Sequence, residues 1–197
     1  MSRLKKLYLL LTIILTILLV GCGNKKNDSS TKETDSDSKS IVIYFSRTNN
    51  TEKIANYIID ITNSDKYEIE AKTPYTNADI NYNDSNSRTS IEQNDPTCRP
   101  EIGSATIDLS KYEVIYLGYP IWWGQAPKIM YTFVESYDLS NKTIIPFCTS
   151  GSSGIGSSAT NLEKSTTNAK WLSGKRFGSS SSKNEVKEWI DTINLGG

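Results

Sequence analysis

Residues 41–55 read IVIYFSRTNNTEKIA, which predicts a buried strand, a polar turn and the start of a helix in direct succession. The first five of them are β-branched or aromatic without interruption, as is typical of a strand covered on both faces. Ile54, Ile58 and Ile61 then recur at helical spacing and predict an amphipathic helix over 51–62. A buried strand that turns directly into a helix is a building unit of an α/β fold.

The alternation of strands and helices continues towards the end of the chain. Apolar stripes predict one helix after Pro127 and another after the capping-box pair Ser182 and Glu185. Apolar runs predict further strands at 67–71, 114–117, 143–148 and 171–177. We therefore expect a parallel sheet with helices on both faces.

Three features fit this pattern less well. Gly118 is expected to stop the strand before it, and Pro146 falls inside a predicted strand although proline cannot donate to a sheet ladder. Residues 72–110 are polar and predict only a short helix near 87–93. This long segment is therefore the gap in the predicted fold.

The amino-terminal residues predict an export signal. A basic start is followed by an apolar run from Leu7 to Val20, shorter than the roughly 20 residues that a spanning helix needs. The run ends in LVGC at 19–22, which resembles the bacterial lipobox, where the cysteine is acylated and becomes the mature amino terminus. We expect residues 1–21 to be a lipoprotein signal peptide and Cys22 to carry lipid. A short uncleaved anchor is the alternative.

A polar tether follows the lipid site. Residues 23–40 read GNKKNDSSTKETDSDSKS, which contains no large apolar residue and cannot build a core. We expect the lipidated cysteine and a disordered linker over 22–40, and one folded domain over 41–197. Such a domain would be held by its lipid at the extracytoplasmic face of the cell membrane.

Composition narrows the classes of function. The chain has no histidine, which excludes Ser-His-Asp and Cys-His catalysis and removes the commonest metal ligand. Its 22 basic and 22 acidic residues give no basic excess for nucleic acid. The cysteines, Cys22, Cys98 and Cys148, are too scattered for a zinc site or a disulfide framework. We expect no nucleic-acid partner, no metal and no catalytic side chain, so that a bound molecule carries the chemistry.

Three loops of unusual composition follow predicted strands, at 46–51, 119–125 and 149–156. In a doubly wound sheet, ligands bind beyond the carboxyl ends of the strands. The first loop offers hydroxyl and amide donors at a helix start, which suits a phosphate. The second holds two adjacent tryptophans, which suit a flat ligand ring, and the third is rich in glycine and free N–H groups.

Each loop alone has a plainer interpretation. The first resembles an ordinary capped turn, the second a protein-interface patch and the third a flexible linker. The third, however, lies directly between a predicted strand and a helix start, where a linker is unexpected. The glycine spacing fits neither a P-loop nor a Rossmann fingerprint.

Four segments together make the chain similar to the flavodoxin-like family, in particular its small single-domain bacterial branch. They are IVIYFSRTNNTEKIA (41–55), VIYLGYPIWWGQAP (114–127), KTIIPFCTSGSSGIG (142–156) and VKEWID (186–191). The resemblance extends from residue 41 to about 193. It implies an α/β flavodoxin-like three-layer sandwich, a five-stranded parallel sheet in the order 2-1-3-4-5, tolerance of Pro146 and FMN as the cofactor.

The resemblance also assigns FMN contacts to the three loops, with Trp122 or Trp123 nearest the isoalloxazine ring. The family usually has glycine where Asn49 stands, and asparagine is the next best residue at positive φ. The implied contacts are Ser46, Arg47, Thr48, Asn49, Asn50 and Thr51 at the phosphate, Pro120, Ile121, Trp122, Trp123 and Gly124 at the ring, and Thr149, Ser150, Gly151, Ser152 and Gly154 at its pyrimidine side.

The implied function is FMN-dependent electron transfer or oxidoreduction at the outer face of the membrane. The chain would act as a carrier or a quinone-type reductase, with an unidentified protein, quinone or nicotinamide as redox partner. The alternative is an exported flavodoxin-fold binding protein that has lost FMN, whereas a hydrolase would lack its histidine. Cys148 is expected to be a packing cysteine rather than a redox thiol, and a Cys98–Cys148 disulfide stays open.

Overall fold

The computed structural model describes residues 39–195, which alternate between strands and helices. The strands are β1 (Ser40–Tyr44), β2 (Asp65–Glu68), β3 (Val114–Pro120), β4 (Thr143–Thr149), β5 (Lys170–Trp171) and β6 (Lys175–Phe177). The helices are α1 (Asn50–Thr62), α2 (Arg88–Asn94), α3 (Lys128–Ser136), α4 (Ser158–Glu163) and α5 (Lys183–Asp191). The predicted signal peptide, Cys22 and the linker up to residue 38 lie outside the described residues. No helix within 39–195 is long and apolar enough to cross a membrane.

The strands form one parallel sheet in the order β2-β1-β3-β4-β5, with β6 also paired to β4. This confirms the predicted strand order and the α/β class. The chain passes from β1 to β2 on one side and then crosses to β3 on the other side of β1. The strand order therefore reverses between β1 and β3, and crevices for ligands open at the carboxyl ends of strands at such a point.

Both faces of the sheet are covered by apolar side chains. Val42 and Tyr44 of β1 belong to the cluster on the face of α1 and α5, together with Ile58. Ile41 and Ile43 belong to the cluster on the face of α3 and α4. Because alternate side chains of a strand point to opposite faces, β1 is buried on both, as the continuous apolar run predicts.

The sequence predicted that Gly118 would end β3, but the glycine lies inside this strand. The strand continues to Pro120, and Gly118 is paired with Phe147 of β4. A Cβ at Gly118 would overlap the ring of Phe147. The glycine is therefore explained by the space that this aromatic ring needs within the sheet.

Pro146 lies in the central strand β4 without breaking the ladder to β3. A Cβ at Gly174 would lie 2.8 Å from Pro146 Cγ, and the Pro146 carbonyl oxygen also lies beside Gly174. In a strand the N–H and C=O of one residue point to the same side, so the missing N–H of Pro146 faces the gap between β5 and β6. The predicted strand 171–177 is divided at this gap, which places the proline where a donor is not needed.

The polar segment 72–110 contains the short helix α2, close to its predicted position. Glu92 on this helix is buried, with 8% of its surface exposed. Its carboxylate accepts hydrogen bonds from Tyr75 Oη at 2.8 Å and from Arg88 Nε at 2.6 Å.

The strand predicted at 67–71 begins and ends earlier, as β2, and Ala71 instead makes an isolated antiparallel bridge to Ile102.

Candidate functional site

A cleft of about 600 Å³ lies at the carboxyl ends of β1, β3 and β4. All three predicted loops contribute to it. The predicted residues that line it are Thr48, Asn50, Pro120, Ile121, Trp122, Trp123, Gly124, Thr149, Ser150, Gly151 and Ser152. The predicted residues outside its lining are Ser46, Arg47, Asn49, Thr51 and Gly154. Every lining residue within 39–195 is uncharged, so the direct contacts of an anion in the cleft would be with neutral donors.

The first loop presents the start of α1 to the cleft. Asn49 adopts a left-handed conformation with φ 61°, which asparagine tolerates better than most residues. Its carbonyl accepts from Lys53 N at 3.0 Å, and Ser46 Oγ accepts from Glu52 N at 3.2 Å. The first N–H groups of a helix have no partner within the helix, so those of Asn50 and Thr51 are free for an anion.

The first and third loops are joined by a buried hydroxyl pair. Thr51 Oγ1 lies 2.8 Å from Thr149 Oγ1, and both residues are buried. Ser46 and Thr51 thus shape the helix start without lining the cleft. Arg47 turns aside, where its Nη2 donates to Asn77 Oδ1 at 2.8 Å and it borders a separate cavity beside β2.

The two tryptophans of the second loop have different environments. Trp122 is 4% exposed and packs edge-to-face against Phe45 and Tyr75, with ring centroids 5.5 and 5.1 Å away. Trp123 is half-buried and stacks on Tyr82 at 4.3 Å and 30°. Trp122 is thus chiefly a core residue, and Trp123 forms the aromatic wall of the cleft.

A tight turn separates these two side chains. Trp122 and Gln125 exchange two backbone hydrogen bonds of 2.9 Å, and the residues between them, Trp123 and Gly124, have φ of 48° and 74°. Two consecutive positive φ values define a type I′ turn. A tryptophan held at positive φ is uncommon, and such backbone strain is typical of functional sites.

The polar segment 72–110, for which the sequence predicted little structure, supplies a further wall of the cleft. Ile80 and Tyr82 line the cleft, and Tyr82 is 55% exposed. Ser153, beside the third loop's predicted contacts, and Ser179, after β6, also line it. No periodic pattern in the sequence identifies Tyr82 as a site residue. An isolated aromatic residue in a polar segment is the one sequence feature from which it could have been predicted.

Cys148 lies at the end of β4 beneath the third loop and is fully buried. Burial raises the pKa of its thiol to about 12, so it stays protonated at neutral pH. Cys98 and Cys148 are both free thiols in this structure. Cys148 therefore fits the packing role expected for it, and within 39–195 no group of histidine, cysteine or acidic residues could hold a metal ion.

A doubly wound sheet with a cleft at its topological switch point is the arrangement in which open α/β sheets bind their ligands. The chain belongs to the flavodoxin family, whose family model matches residues 39–193. This match spans all the elements that form the sheet and the cleft.

Solved structures support the same assignment. The chain is 41% identical to a candidate flavoprotein from Bacteroides eggerthii, with a TM-score of 0.74, covering 79% of this chain and 98% of that one. It is 39% identical to a candidate flavoprotein from Bacteroides uniformis, with a TM-score of 0.75, covering 79% and 99%. A Lactobacillus acidophilus flavoprotein in complex with FMN shares the fold at 20% identity and a TM-score of 0.57, covering 78% and 99%. None of the curated proteins compared with the chain matches it.

Proposed function

We propose that the chain binds FMN in this cleft and acts in electron transfer or oxidoreduction at the outer face of the cell membrane. The observation that carries the proposal is the convergence of a helix start, an aromatic wall and a glycine-rich loop on one cleft. Its volume of about 600 Å³ lies within the range of roughly 300–1,000 Å³ that is usual for small-molecule sites. The residues present therefore fit FMN in size and in the chemistry of their donors.

The helix start would hold the phosphate. Thr48 Oγ1 already accepts a hydrogen bond from Asn50 Nδ2 at 3.1 Å, which leaves its own hydroxyl proton to donate to a ligand. The N–H groups of the first turn and the positive end of the helix dipole add to this donor set. These groups would bind a phosphate without a lysine or arginine at the cleft.

Thr48→Val is expected to weaken FMN binding about tenfold, because a hydrogen bond to a charged group contributes about 1.5–3 kcal/mol. Riboflavin lacks the phosphate, so its affinity should not change. Thr48→Ser keeps the hydroxyl and is the matched control. Quenching of flavin fluorescence measures the affinities of the wild type and of both variants for FMN and riboflavin. An equal loss for the two ligands in Thr48→Val would place the phosphate elsewhere.

The electron transfer would come from FMN itself when it is bound. The described residues would bind and orient it: Trp123 and Tyr82 cover the ring, and the third loop presents backbone donors to its polar edge. No acid, base or nucleophile is required of the cleft, in agreement with its uncharged lining. The protonated Cys148 takes no part in this assignment.

The outer-face location rests on the amino-terminal sequence. Cys22→Ala is expected to abolish incorporation of labelled palmitate into the protein and to reduce its recovery with membranes, because the acylated thiol is removed. Cys98→Ala is the control and should be labelled like the wild type. Labelling of Cys22→Ala at the wild-type level would contradict a lipid anchor at this residue.

A binding protein that has lost FMN is the second candidate. The observation that favours it is the Tyr82–Trp123 stack, because rings 4.3 Å apart leave no room for a third ring between them. FMN would have to lie against one face of this pair or separate it. The two candidates are distinguished by whether the protein retains flavin, since only the electron-transfer function requires it.

A further inference from the structure

The side chain of Arg176 on β6 holds the third loop by hydrogen bonds to the backbone of that loop. Its Nη2 donates to the carbonyl oxygens of Ser150 and Gly151, each at 2.7 Å, and its Nε donates to Ser150 Oγ at 3.2 Å. Ser150 and Gly151 line the cleft, whereas Arg176 does not. One planar guanidinium thus holds two consecutive carbonyls of the loop without itself lining the cleft.

These bonds set the direction of the loop's donors. In a trans peptide unit, the C=O of one residue and the N–H of the next point in opposite directions. Because the carbonyls of Ser150 and Gly151 point to Arg176, the N–H groups of Gly151 and Ser152 point away from it, and both of these residues line the cleft. Neither N–H has a hydrogen-bond acceptor among the described residues, so both are available to a ligand.

Arg176 also brings a positive charge close to the cleft. Arg88 and Arg99 form ion pairs with Glu92 and Glu135, whereas none of the ion pairs found within 39–195 involves Arg176. Its contacts are with neutral loop oxygens instead. A partly buried charge is screened less than an exposed one, so a ligand on the other side of the loop experiences it.

We propose that Arg176 is the positioning residue for the ring end of the site, and that its charge favours the reduced ring over the oxidised ring. The assignment rests on the proposed binding of FMN. Two N–H donors match the carbonyl oxygens and ring nitrogens of the pyrimidine edge, not the apolar dimethylbenzene edge. Flavin that has taken up two electrons and one proton carries a negative charge on this pyrimidine edge, and a nearby cation stabilises it.

Arg176→Gln and Arg176→Lys test the assignment in the full chain, purified in detergent. The affinities for FMN and riboflavin are measured by fluorescence quenching, and the midpoint potential of bound FMN by dithionite titration against a reference dye. Arg176→Gln is expected to weaken both ligands by the same factor of about ten, since it acts on the ring and not on the phosphate. The ratio of the affinity for reduced FMN to the affinity for oxidised FMN should also fall about tenfold. This lowers the midpoint potential of bound FMN by roughly 30 mV for a two-electron couple.

Arg176→Lys keeps the charge but loses the guanidinium fork. It should therefore retain the wild-type potential while binding both flavins weakly. A shifted potential in Arg176→Gln beside an unshifted one in Arg176→Lys is the contrast that a merely structural role would not produce. Circular dichroism establishes that each variant is folded. Should Arg176→Gln not fold, Arg176→Met also removes the charge and takes its place, with the same expected results. Wild-type affinities in Arg176→Lys would overturn the assignment.

Three results for folded Arg176→Gln would overturn the assignment: unchanged affinities, a loss confined to FMN, or an unchanged potential. A wild-type protein that binds neither flavin would overturn the proposed function and this assignment with it. If the wild type binds both flavins and Arg176→Gln has the same affinities and potential, only this assignment is overturned and the proposed function stands.

Discussion

Trp123→Ala is expected to weaken FMN binding about tenfold and to change the free energy of unfolding by less than about 1 kcal/mol. Trp123 is half-buried and lines the cleft, where its ring stacks on Tyr82. Removal of an aromatic platform under a heterocyclic ring costs about 1–3 kcal/mol in comparable stacks. The loss should therefore appear in binding rather than in folding.

Trp122→Ala is the matched comparison, one residue away and with the same side chain removed. Trp122 is 4% exposed and contacts Phe45 and Tyr75 in the core. Truncation of a buried tryptophan costs about 3–5 kcal/mol, so this variant should lose stability first.

Urea unfolding and FMN titration of the two variants separate the roles. Both sets of measurements are made on the same preparations, so that unfolded protein is not counted as loss of affinity. Equal losses of stability would contradict the division of the pair into a core residue and a cleft wall. So would normal FMN affinity in Trp123→Ala.

Glu92→Ala is expected to lower the free energy of unfolding by about 3 kcal/mol, because removal of one partner from a buried ion pair leaves the other uncompensated. Glu92 is the shared acceptor of Tyr75 and Arg88, and Arg88 also stacks over the Tyr75 ring at 3.9 Å. Arg88 is partly exposed, which limits the loss. The segment that carries Tyr82 to the cleft should loosen together with this network.

Glu101→Ala is the control for this second prediction. Its pairing with Lys72 at 2.6 Å is largely exposed, at 66% and 71% of the two side chains, so its removal should have no measurable effect on unfolding. Hydrogen exchange over residues 72–94 locates the change. If Glu92→Ala unfolds like the wild type and its amide hydrogens in this segment exchange no faster, the buried network of Glu92 does not stabilise the segment.

The strand–loop–helix unit at residues 41–62 could be predicted because its apolar pattern is unambiguous and local. A continuous apolar run becomes β1. Of the isoleucines at helical spacing, Ile54 and Ile58 are buried on α1, and Ile61 is partly buried. The order of the strands followed from the resemblance of four segments to the family. The first and third loops were located because their composition is unusual at the ends of buried strands.

Other features depend on contacts that no local pattern carries. Trp122 and Trp123 are identical neighbours, and only the type I′ turn decides which one packs into the core and which one stacks on Tyr82 at the cleft. Tyr82 lies in a polar segment whose course is set by buried side chains such as Glu92. Arg176 binds backbone carbonyls rather than a carboxylate, so it belongs to no recognisable motif.

Retention of FMN by the purified protein decides between the two candidate functions. The full chain is purified in detergent and mixed with excess FMN, unbound flavin is removed by gel filtration, and the visible spectrum is recorded. We expect flavin absorbance to remain with the protein at one FMN per chain, and Trp123→Ala to lose it. A colourless wild-type protein that also fails to quench FMN fluorescence would contradict FMN binding in this cleft and leave the FMN-free binding protein as the remaining candidate.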